Sequence, residues 1–143
     1  MDIVNLSQPT NWTDRSMIAY SKQDVPTSGV APNIVVTKED FVNISGSTDE
    51  ERLKTFSAKQ VSDMKAQLAD PIIHLQQLTK ILSKPATEVQ LSWQSGHIRL
   101  TQLVFFIVYS SEQIVIFTAT AAASEFAEFR DEFLQLAHRL EFS

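Results

Sequence analysis

Two carboxamides stand where the hydrophobic pattern asks for hydrocarbon. Take the segment after Ser47 as a helix at about 100° per residue, with Leu53 at zero. Phe56 then falls near −60°, Met64 near 20°, Leu68 near 60° and Val61 near 80°. Gln60 falls near −20°, inside that apolar arc. In the run from His97 to Tyr109, side chains of a strand alternate faces with period 2. Its even positions are Ile98, Leu100, Gln102, Val104, Phe106 and Val108, so Gln102 is the polar member of an apolar row. Leaving a buried amide unpaired costs about 1–3 kcal/mol, so both glutamines need partners. Two arrangements supply them. Either both amides bond neighbouring backbone inside a closed core, or they stud an apolar surface. Such a surface suits an apolar helix whose small residues expose backbone carbonyls.

Other chemistries find no residues to carry them. There are no cysteines, which excludes a disulfide scaffold, a thiol nucleophile and Cys-ligated metal. His74, His97 and His138 are far apart, and no two have metal-ligand spacing. Three glycines, Gly29, Gly46 and Gly96, cannot build a dinucleotide fingerprint or a P-loop. Asp49, Glu50 and Glu51 suit the positive end of a helix dipole, and Glu125, Glu128, Asp131 and Glu132 suit the solvent side of a last helix. Neither a nucleophile elbow nor an acid–base constellation is visible, so the chain reads as a non-enzyme without cofactor or metal. Lys+Arg 12 against Asp+Glu 17 leaves a net charge of −5, which argues against tracking nucleic-acid phosphates. Mean hydropathy is −0.08, and the run from Leu100 to Ala123 is broken by Glu112 and several hydroxyl residues. It reads as two strands and not as a membrane span. The acid at Asp2 and the lack of a following apolar stretch give no secretory signal, so the cytoplasm is the expected compartment.

The elements that must position these residues follow from pattern. At 143 residues, without repeats or a low-complexity linker, the chain is expected to form one domain over 1–143. Trp12, in a turn from Pro9 to Asp14, is expected to plug one end of the core. Ser16–Ser21 and Asn33–Lys38 read as short strands. Ser47 with Glu50 predicts a capping box opening a helix over 48–69 that Pro71 closes. Strands are predicted over 72–82, 86–94, 97–109 and 114–121, with Ser95-Gly96 as a two-residue hairpin turn. Phe126, Phe129, Phe133, Leu136 and Leu140 give a helix over 124–140 its apolar stripe. Strands, helix, four strands and helix make an α+β class with an antiparallel meander and two main helices. The long strand is apolar on both faces, since Leu103, Phe105 and Ile107 join the even row. Apolar area that two helices leave uncovered is an interaction surface. The early strands add to it: Met17 with Ala19, and Asn33, Val35 with Thr37, are same-face rows of small, flexible or polar groups.

The residues assembled so far resemble a family. Pro9-x-x-Trp12-x-Asp14-x-Ser16, the pair Lys59-Gln60, Trp93-x-x-Gly96, Thr101-Gln102-Leu103-Val104-Phe105 and Phe117-Thr118-Ala119-Thr120 occur in order before the Phe-rich terminal helix. The pattern, spanning Pro9 to Phe142, is similar to that of DcrB-related proteins of PsbP-like fold, and among them to the Eag chaperones of type VI secretion effectors. The resemblance implies a cytoplasmic homodimer that holds the N-terminal transmembrane helices of a secreted toxin, of PAAR or Rhs type, before it is loaded on the secretion spike. Association with the spike would be indirect, without direct membrane insertion. It also implies that client helices are bound by Met17, Ala19, Asn33, Val35, Thr37, Gln60, Met64, Leu68, Ile98 and Gln102. Ala19 departs from the family, which tends to have a β-branched residue there, and Ser83-Lys84-Pro85 replaces a common turn glycine. The alternative is a structural or regulatory protein of the same fold with both glutamines internal and no helix client.

Overall fold

A computed structural model describes residues 17–142 of the chain. Pro9, Trp12, Asp14 and Ser16 lie outside the described residues. The elements are β1 (Met17–Ser21), β2 (Asn33–Asp40), α1 (Asp49–Gln67), β3 (Ala69–Ile81), β4 (Lys84–Ser95), β5 (Ile98–Val108), β6 (Gln113–Ala122) and α2 (Phe126–Ala137). The six strands form one antiparallel sheet in the order β1-β2-β6-β5-β4-β3. The α+β class and the meander expected from pattern are thus present, and the sheet also takes in the two early strands. β2 pairs with β6, Val35 opposite Thr118, so β6 and not β5 borders the N-terminal pair.

Each helix covers part of a different face. α1 packs on β3, β4 and β5, and α2 on β5 and β6. This explains why β5 is apolar on both sides. Val104, Phe106 and Val108 pack in one cluster with Leu53, Phe56 and Val61 of α1. Leu103, Phe105 and Ile107 pack in the other with Phe126, Phe133 and Ala137 of α2. Phe56 meets Phe41 and Phe106 edge-on, with ring centroids 5.9 and 5.5 Å apart.

Local chemistry shifts several boundaries. The α1 cap is Thr48, not Ser47: its hydroxyl accepts from the Glu51 amide at 3.1 Å, while the Glu51 carboxylate takes the Ser47 amide (2.8 Å) and hydroxyl (2.6 Å). These two Ser47 bonds hold the Glu51 carboxyl below its ordinary value of 4.5. Nor does Pro71 close the helix; α1 ends at Gln67, and Pro71 sits inside β3. The tight turns also move. Gly96-His97 closes the pair Ser95–Ile98, with Gly96 at φ +61°, the position a two-residue hairpin reserves for glycine. Leu82 and Ser83 join β3 to β4 with φ +52° and +69°, a left-handed pair built without glycine.

The acids of α2 are less idle than a solvent face requires. Glu125 receives bonds from the Ser28 amide at 3.1 Å and from the Ser28 hydroxyl, and Glu132 pairs with Lys22 at 2.8 Å. Both tie α2 to the loop between β1 and β2. Glu125 occupies the N-cap but makes no side-chain capping bond. Glu88, buried under α2, is held by Arg130 at 3.2 Å and Gln77 at 3.0 Å.

Candidate functional site: the sheet face beside α1

Register decides which side chains share the α1 face. Three rungs cross it from β5 to β1. Gln102 lies opposite Thr120, which faces Asn33, which faces Ser21. Val104, Thr118, Val35 and Ala19 make the next rung, and Phe106, Ile116, Thr37 and Met17 the third. Because α1 stands over β3, β4 and β5, the half of this face built by β6, β2 and β1 is left, among the described residues, as a shelf with the helix along one side. Met17 and Ala19 are exposed; Asn33, Val35, Thr37, Ile116 and Thr118 are half-buried.

The ten residues expected to bind a client therefore divide as follows. Met17, Ala19, Asn33, Val35, Thr37 and Gln102 lie together on these three rungs. Ile98 shares their face at the far end of β5, two rungs beyond Gln102, opposite Ser95. Gln60, Met64 and Leu68 belong to α1 and its C-cap. Leu53, Phe56, Ser57 and Val61 of α1 are buried; Gln60, Met64 and Leu68 on the same arc stay half-buried, and no residue of α1 beyond Val61 is buried. The cover thins toward the C-terminal end of the helix.

Neither amide is sealed. Gln102 is half-buried and donates from Nε2 to the Thr120 hydroxyl at 3.0 Å, a side-chain partner on the adjacent strand and not neighbouring backbone. Gln60 is half-buried and has no side-chain hydrogen bond among the described residues. Four polar side chains, Ser21, Asn33, Thr120 and Gln102, thus line one rung of an otherwise mostly apolar shelf. Thr118, Thr120, Ile116 and Ser21 were not legible as site residues. The alternation Ile114, Ile116, Thr118, Thr120 in β6 carried a signal, but only the pairing of β6 with β2 gives it meaning.

A cleft of about 800 Å³ lies on the opposite face, between α2 and the β1–β2–β6 half of the sheet. Ile18, Ile34, Val36, Phe117, Phe133 and Leu136 are among its walls. Among the described residues no group of three His, Asp or Glu side chains could hold a metal. No helix of the described residues is long and apolar enough to cross a membrane.

A helix on each face of a six-stranded antiparallel sheet defines the class: an α+β protein of PsbP-like architecture. The DcrB family profile matches residues 4–138, and the chain belongs to that family. Solved structures agree on the fold. PA94 of Pseudomonas aeruginosa, a protein of unknown function, superposes with a TM-score of 0.76 at 18% identity, covering 95% of this chain and 89% of that one. LpqN of Mycobacterium tuberculosis, involved in cell envelope biogenesis, gives 0.63 at 13% identity over 84% and 67%. The cyanobacterial PsbP of Synechocystis sp. PCC 6803 gives 0.53 at 12% identity over 96% and 99%. No curated protein sequence matches the chain.

Proposed function

We propose that this DcrB-family chain is a non-enzymatic chaperone for apolar helices. Acting in the cytoplasm as a single-domain homodimer, it shields the N-terminal transmembrane helices of a type VI secretion effector and reaches the secretion spike only through that client. It uses no cofactor, binds no nucleic acid and does not itself insert into the membrane. One observation carries the reading: among the described residues α1 leaves half of one sheet face uncovered, and that half mixes Val35, Ala19, Met17 and Ile116 with Thr37, Thr118 and a polar rung of Thr120, Asn33 and Ser21 that Gln102 of β5 continues toward the helix. A helix taken out of lipid must bury apolar side chains, and where its residues are small it also presents backbone carbonyls. The apolar floor supplies most of the affinity, at about 25 cal/mol per Å² removed from water. Each amide bond to the client adds about 0.5–1.5 kcal/mol net.

The Gln102–Thr120 bond favours a second reading, a structural or regulatory protein in which the amide serves only its own sheet. Co-expression separates the two. The chaperone reading expects the hydrophobic N-terminal segment of an effector from the same genome to become soluble and co-purify with this chain. A segment that stays insoluble beside abundant folded chain rejects the chaperone and leaves the structural reading.

A further inference from the structure

Among the described residues, the two edges of the sheet, β1 and β3, are unlike. β3 carries Pro71, Asp70, His74 and Lys80, and its ladder with β4 is interrupted between Ala69 and Ile72 and between Ile73 and Leu75. Proline, charges and bulges are how sheets blunt an edge. β1, Met17-Ile18-Ala19-Tyr20-Ser21, has none of these and is uncharged. Apolar side chains stand exposed on both its faces: Met17 is 64% exposed, and Ile18 and Tyr20 are 49% and 66%.

Hydrogen-bond parity shows what this edge offers. The Lys22 amide donates to the Pro32 carbonyl at 2.9 Å, and the register Ser21–Asn33 makes Lys22 and Pro32 opposite one another. In an antiparallel pair, hydrogen-bonded and non-bonded positions alternate. Ile18 and Tyr20 thus turn their backbone groups inward to β2, and Met17, Ala19 and Ser21 turn theirs outward. A two-fold axis through Ala19 satisfies all three residues. Ala19 pairs with Ala19 of a second copy, and Met17 with its Ser21, each as a hydrogen-bonded pair. Ile18 then falls opposite Tyr20 of the second copy at the closer, non-bonded position, a β-branched–aromatic pair of the kind that stabilises sheets.

We propose that β1 is the seam of the homodimer, pairing antiparallel with β1 of a second copy about a two-fold axis through Ala19. The seam rests on the homodimeric reading above and not on the identity of a client. It joins the shelves of the two copies into one floor, because Met17, Ala19 and Ser21 of each copy lie on the α1 face. On the other face it sets Tyr20 of the second copy beside Ile18, at the mouth of the 800 Å³ cleft.

The chain has no cysteine, so a single introduced one reports its own neighbours. Opposed Cα atoms about 5.5 Å apart are within disulfide reach. Ala19→Cys is expected to give a disulfide-linked dimer under mild oxidation, and Leu78→Cys on the β3 edge is not. Ala19→Pro removes only an outward-facing donor, a substitution an edge strand tolerates. Circular dichroism confirms its fold, and light scattering should show the dimer dissociation constant raised at least about tenfold. Cross-linking through Leu78→Cys but not Ala19→Cys overturns the seam, as does a monomeric wild type at about 100 μM. A cross-link through Ala19→Cys upholds the seam whatever the client, and failure of the dimeric wild type, with Ala19 intact, to solubilise an effector segment counts against the client alone.

Discussion

Replacing the two glutamines singly and together separates a shelf from a core. Gln102 makes one hydrogen bond, to Thr120 at 3.0 Å, and is half-buried. Gln102→Ala loses that bond, about 0.5–1.5 kcal/mol. It also loses one half-buried methylene, Cγ, about 0.4 kcal/mol. The sum is about 1–2 kcal/mol, which lowers Tm by about 2–8 °C in a domain of this size. Sealed in a tight interior, the same truncation would leave a cavity and an orphaned hydroxyl and cost about 3–5 kcal/mol. Gln60 has no hydrogen bond to lose among the described residues, and alanine is the better helix former, so Gln60→Ala should stay within about 0.5 kcal/mol of wild type. Urea unfolding followed by tryptophan fluorescence measures both. If the amides bond client helices, the double variant should weaken capture of an effector segment by about 5- to 150-fold, the equivalent of 1–3 kcal/mol. A Gln60→Ala cost above about 2 kcal/mol, or a double variant with undiminished capture, would refute the reasoning.

Substitutions at three further places test how the frame is held. The Glu51 carboxyl is held below its ordinary 4.5 by Ser47, so its contribution is present above that value and is lost as pH falls through the lower folded one. Glu51→Gln should therefore flatten the acid side of the stability–pH profile, followed by urea midpoints from pH 6 to pH 3; an unchanged slope contradicts the assignment. Leu82→Asn with Ser83→Gly supplies residues that accept positive φ, and should raise stability by about 1–2 kcal/mol in thermal unfolding. Arg130→Ala leaves the buried Glu88 carboxylate with Gln77 alone and should cost about 2–3 kcal/mol, below the penalty for a wholly buried pair because the Arg130 side chain is 36% exposed. Arg130→Ala with Glu88→Gln should recover part of that loss.

Within single elements, much was legible. The 3.6-residue period of Leu53, Phe56, Val61 and Met64 located α1, and the Phe-rich stripe located α2. Errors gathered at the ends, where competing caps decide. Ser47 and Thr48 both precede a glutamate at the capping distance, and the backbone geometry chose Thr48 with Glu51. Pro71 reads as a helix stop, yet an edge strand accepts proline, and β3 is an edge. Leu82-Ser83 escaped as a tight turn because neither residue favours the left-handed backbone it adopts.

By itself, the order of residues determined the α+β class, the two apolar faces of the long strand, and the two amides out of keeping with their rows. Those are local properties, written in spacings of two and of three or four residues. Only the tertiary structure decided that β6 lies between β2 and β5. That placement sets Thr120 between Gln102 and Asn33 and Thr118 between Val104 and Val35, and among the described residues α1 covers one half of the face and leaves the other open. The reason is physical: period fixes which side chains share a strand's face, whereas the neighbouring strand is chosen by pairing between segments about 80 residues apart, a contact that no local spacing encodes.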